Sequence, residues 1–159
     1  MPIVNSQFLS RRNTERTAHE EPFLFSAILM IATKDRTDLE AEHQCIWSHL
    51  QGMILAVALG SNTTKNVGAV EALLLLAEWV PHARFQRAAT GSRKSRRSED
   101  EDSAAWTLVG LAVRQGYLIH LDRYAFRGGE QGDSKAIAER NRLAWTCEYL
   151  CTALSTSGS

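Results

Sequence analysis

Apolar residues along this chain recur at steps of three and four, and no stretch keeps up a period-two alternation. The pattern predicts helices. The run PFLFSAILMIA opens on Pro22, and proline suits a first helical position because the N–H it lacks would have no partner there. This helix is expected to reach Lys34, whose charge suits the negative end of the dipole. A second helix is predicted over 38–59, with Asp38 as cap, Glu40 and Glu42 in its first turns and Gly60 as its stop. Ile46, Leu50, Met53, Ile54 and Val57 make its apolar face. A third, Val67 to Trp79, contains the leucines 73–76, which cover all sides of a helix and place it at the centre of the domain. Pro81 stops it.

Residues 1–21 read as a polar arm with little pattern. The segment HARFQRAATGSRKSRRSEDED, over 82–102, reads as a flexible surface loop in which a basic block precedes an acidic one. A fourth helix is expected over 104–119, capped by Asp102 or Ser103. In it Trp106, Val109, Gly110 and Val113 read as one packing strip, with Gly110 admitting a neighbouring helix. Arg114 is expected to reach outward or pair with a carboxylate, and Gly116 to mark the helix end. As a core anchor, Trp106 would cost about 3–5 kcal/mol on truncation to alanine. A final helix over 135–153 shows Leu143, Cys147, Leu150 and Cys151 as its apolar side, and a polar tail covers 154–159. The fold class is all-α: an irregular bundle of about five helices, packed antiparallel or orthogonally, with 22–153 as one domain.

Composition narrows the function. The 159 residues suit one domain, and a net charge of zero argues against a general nucleic-acid surface. Cys45, Cys147 and Cys151 form no CxxC pair, which fits free thiols in a reducing compartment and excludes a multi-cysteine zinc module within the chain. PFLFSAILMIA and ALLLLAEWV are each about half of the ~20 residues a membrane span needs, so no membrane partner is expected.

Candidate chemistry is sparse. His43 and Cys45 point about 200° apart on a helix and cannot share a metal, while Cys45 and His49 could but are too few. Glu71 and Glu78, seven apart, align on one face and read as a solvated stripe. RGGEQGD lacks the Lys-Ser/Thr ending of a phosphate loop. No catalytic residue, metal ligand or cofactor site is assigned, and no enzymatic function is expected. The run RKSRR offers Arg93, Lys94, Arg96 and Arg97 as a candidate nuclear-import signal, weighed against an exposed loop balanced by the acids 99–102.

Three segments carry a resemblance: GAVEALLLLAEWVPH at 68–82, AAWTLVGLAVRQGYLIHLD at 104–122 and RNRLAWTCEYL at 140–150. Their order and spacing resemble the fungal-specific transcription factor domain, the helical regulatory region that accompanies a Zn2Cys6 cluster. The matching positions are Trp79, Trp106, Gly110, Arg114, Asp122 and Trp145, which the resemblance makes fold markers and core positions. It implies a nuclear protein that modulates RNA polymerase II transcription through other domains, co-regulators or a small-molecule effector. Zinc and DNA binding would belong to a cluster that this sequence does not contain. Where the family's helices continue, the chain ends in CTALSTSGS, so it is expected to be an incomplete part of a larger helical domain. The alternative reading is a helical adaptor or truncated relative that competes with a full-length factor.

Overall fold

The leucine run is central, as its pattern predicts. A computed structural model describes residues 11–79, 97–126 and 135–156, and among them it contains seven α-helices and no strand. These are α1 (Arg11–Glu20), α2 (Pro22–Ala32), α3 (Glu40–Ala58), α4 (Val67–Trp79), α5 (Arg97–Leu118), α6 (Leu121–Phe126) and α7 (Lys135–Thr156). Ala69, Val70, Ala72, Leu73 and Leu76 of α4 are fully buried. Around them pack α2, α5 and α7, which contribute Phe23, Leu24, Ala27, Met30, Leu108, Ala112 and Ala144 to one apolar core. The helix α3 lies against α2 and more lightly against α5, and α1 packs chiefly on α2. Among the described residues, no helix is long and apolar enough to cross a membrane.

Helix ends follow local chemistry. Asn66 caps α4, its side-chain oxygen accepting the Ala69 N–H at 2.9 Å. At the end of α3, the Ser61 N–H reaches the Ala56 carbonyl and the Gly60 N–H the Val57 carbonyl, both at 2.9 Å. That pair of bonds requires a left-handed residue at position 60, and Gly60 has φ +74°.

Three expectations need correction. Residues 11–20 of the supposed arm are helical, because the Glu21 N–H closes onto the Thr17 carbonyl and α1 runs almost directly into α2. The fourth helix begins at Arg97, ahead of Ala104, so the acids 99–102 lie inside its first turns, where negative charge favours the helix start. The rest of the expected loop, with Arg93, Lys94 and Arg96, lies outside the described residues; Arg97 opens α5. A further short helix, α6, follows a corner at His120, which takes φ +59° without glycine or proline to announce it. Seven helices therefore stand where about five were expected.

The two left-handed corners make a paired prediction. Gly60→Ala is expected to cost about 1–2 kcal/mol, and His120→Gly to gain about 1 kcal/mol, since only a Cβ makes that backbone region unfavourable. Urea unfolding of the two variants checks both signs.

Candidate functional site

The strongest polar assembly is a fork at Arg140. From α7 its guanidinium donates to Glu21 Oε1 at 2.7 Å and Oε2 at 2.9 Å, and from Nε to Glu71 Oε1 at 3.0 Å. A further, short bond joins its Nη2 to Glu71 Oε2. The arginine is held above its ordinary pKa, chiefly by the Glu71 hydrogen bond, against the opposing desolvation, with Glu21 adding to the rise. Glu21 is available because it precedes Pro22: its backbone joins α1 to α2 while its side chain makes no cap bond. The carboxylate also lies at the start of α4, where a Cβ on Gly68 would come within 3.2 Å of it. The dipole there favours a negative group. Glu71, read from sequence as solvated, is thus paired, while Glu78 is exposed.

Arg114 and Gln115 form a second assembly, a clamp on the connection between α3 and α4. Arg114 Nη1 donates to the Ala58 carbonyl at 3.0 Å, supplying a cation and a donor to the negative end of α3. Arg114 therefore meets a backbone carbonyl, not a carboxylate. Gln115, 1% exposed, donates from Nε2 to the Thr64 carbonyl at 2.9 Å, in the short 3-10 turn before α4. Adjacent residues of α5 so hold both ends of one loop.

A third polar contact lies between α2 and α3. The Thr33 hydroxyl lies 2.8 Å from the Leu29 carbonyl and 2.7 Å from Nδ1 of buried His43, with which it shares a hydrogen bond. Nε2 of His43 has no hydrogen-bond partner among the described residues. Cys45, two residues on, is exposed on another face, as is His49. The expectation that His43 and Cys45 diverge holds; Cys45 is not a core residue.

The family-motif positions do not converge. Trp79 is 44% exposed at the end of α4, with Lys34 Nζ 4.7 Å from its ring centre. Trp106 is 45% exposed, which corrects its assignment as core anchor. The buried face of α5 is Leu108, Ala112 and Gln115, with Val109 and Gly116 beside it. A Cβ on Gly110 would meet nothing within 4 Å, so among the described residues no helix approaches there. Trp145 is half-buried, and Tyr117 meets it edge to face at 5.6 Å. Asp122 lies in the first turn of α6, with a buried Oδ1 that has no hydrogen-bond partner among the described residues. On α7, Leu143 is 66% exposed and Cys147 is exposed, so these two residues of the expected apolar side face solvent, while Asn141, Ala144 and Trp145 face inward; the side chains of Leu150 and Cys151 lie outside the described residues.

A cleft of about 240 Å³ opens between the first turn of α2, the Gly52–Met53–Ala56 side of α3 and the Thr63–Asn66 turn. Its volume falls below the ~300 Å³ at which pockets for drug-sized ligands begin. No family model, curated protein or solved structure matches the chain.

Two stability measurements test the assemblies. Arg140→Ala is expected to cost about 2 kcal/mol, less than the 3–5 kcal/mol of a fully buried pair, because its side chain is 35% exposed. Combined with Gly68→Ala, which crowds the same carboxylate, it should depart from additivity by more than about 0.5 kcal/mol. Gln115→Leu is expected to cost about 1 kcal/mol by removing the side-chain donor to the Thr64 carbonyl, which keeps the Asn66 N–H at 3.0 Å, with faster amide exchange in residues 61–66 as the local signature.

Proposed function

We propose that this chain is a regulatory helical domain that modulates RNA polymerase II transcription in the nucleus by binding other domains or co-regulators, without covalent chemistry. The observation that supports the reading is an aromatic seam at the surface. Trp106, Gly110, Val113 and Tyr117 recur at steps of four, three and four along α5, with Trp106 and Tyr117 45% and 56% exposed. Tyr117 abuts Trp145 on α7, and Tyr149, one turn further, is 67% exposed. Exposed aromatics that a fold does not need for its own core are the residues that most often anchor partners. Trp106 and Trp145 are also positions through which the chain resembles the fungal-specific transcription factor domain. DNA would be reached through a zinc cluster supplied elsewhere. A small effector would have to bind one arrangement of the helices better than another.

The test fuses the chain to a heterologous DNA-binding domain and reads a reporter gene. The fusion is expected to change output severalfold, and Trp106→Ala to abolish the change while lowering unfolding stability by only about 1 kcal/mol. Unchanged output with and without the chain would sink the regulatory reading. A free chain that lowers the output of a full-length factor, with an inert fusion, would favour the competing adaptor.

A further inference from the structure

The outer face of α3 carries Ala41, Cys45, Ser48, Gly52 and Leu55, and the C-cap residue Leu59 continues it, at successive steps of four, three, four, three and four. All six are exposed, Leu55 to 58% and Leu59 to 76%. His43, Leu50 and Val57 on the opposite face are buried in the chain's own core. The strip holds no charged residue. Alternating steps of three and four keep such a seam along one side of a helix, the pattern by which two helices pack at a shallow crossing angle.

We infer that this strip is a homodimer seam, on which a second copy of the chain lays its own α3 antiparallel about a twofold axis beside residue 50. Positions 41 and 59, 45 and 55, and 48 and 52 lie equidistant from 50. Antiparallel pairing therefore sets Ala41 against the partner's Leu59, Cys45 against the partner's Leu55 and Ser48 against the partner's Gly52. Every large side chain meets a small one. A parallel, in-register pair would set leucine on leucine at one end and small on small at the other, leaving a gap that close packing disfavours.

Charge points the same way. Glu40 and Glu42 mark the N-terminal end of α3, while the Arg114 guanidinium stands by its C-terminal end. Antiparallel alignment brings the acidic end to the cationic end and opposes the two helix dipoles. Gly52 supplies an independent reason. A Cβ there would meet nothing within 4 Å, so packing inside one chain does not require a glycine that costs a helix about 1 kcal/mol. At the middle of a seam, a bare backbone lets two helix axes approach closely.

A single helix pair makes a small interface, so the dimer belongs to the weak class that forms at micromolar concentrations and above. Sedimentation of the full chain under reducing conditions, from about 10 to 500 µM, is expected to show mass rising from 17.7 kDa towards twice that value. Gly52→Glu should hold the single-chain mass throughout, with circular dichroism and the thermal midpoint unchanged or raised, since the new side chain enters open space in the monomer. Register is read by cross-linking with Cys147 and Cys151 replaced by serine. Leu55→Cys, which keeps Cys45, should oxidise to a covalent dimer, whereas Cys45 alone should not, because the two copies of Cys45 would lie about 15 Å apart along the seam. A single-chain mass at every concentration overturns the inference. So does a dimer that survives Gly52→Glu, and so does an efficient Cys45–Cys45 cross-link in the chain that retains Leu55.

Discussion

The charge at Glu71 constrains the rest of the fold. It is the only ionisable residue between Val67 and Ala77, on a helix whose other positions there are mostly buried. A carboxylate so placed must be paired or kept wet. Arg140 pairs it from α7, and the same guanidinium takes Glu21 at the junction of α1 and α2. One cation thereby ties together the start of α2, the first half of α4 and the inner side of α7. Hydrophobic burial supplies most of the stabilisation, but it does not choose among rotations of a leucine-rich helix that is apolar on nearly every side. The fork does, because only one rotation of α4 presents Glu71 to Arg140.

The clamp from α5 solves a related problem. The α3–α4 connection leaves backbone carbonyls at both of its ends, and carbonyls away from water need donors. Arg114 and Gln115 provide them at Ala58 and Thr64. The polar interruption in the apolar pattern of α5 is therefore a packing device between elements distant in sequence.

Helix identity and the bounds of α4 were legible in the sequence, because period and stop signals are local. Facing was not. On α5 two strips compete, 106–110–113–117 and 108–112–115–119, and the one that is buried contains Gln115. A polar residue whose amide N–H is bonded across space looks, in sequence, like a reason to face solvent. The same inversion occurs on α7, where Asn141 and Arg140 mark the inner side and Leu143 and Cys147 the outer. Trp106, the most specific-looking position of the resemblance, was misplaced for this reason. The pairing of Arg140 with Glu21 and Glu71 is not legible because these partners lie 119 and 69 residues away, though a lone acid within a leucine run is a signal of a buried partner.

The misread faces share a physical meaning. Scattered exposed leucines need no explanation on any protein. Ordered ones do: the seam on α5 and the strip on α3 each keep helical phase over several turns, opposite or beside faces that already meet the core's requirements. Neither is demanded by stability of the single chain, and the glycines in them are open to solvent at the Cβ position. The inner face of α3 joins the core through Leu50 and Val57, while its outer face is unencumbered. A helix fixed at its ends by Thr33–His43 and by the Arg114 clamp, yet free along one side, is rigid enough to present a surface without reorganising. That division, between a core tied by one partly buried cation and helices that turn ordered apolar faces outward, is the one that the proposed binding role requires.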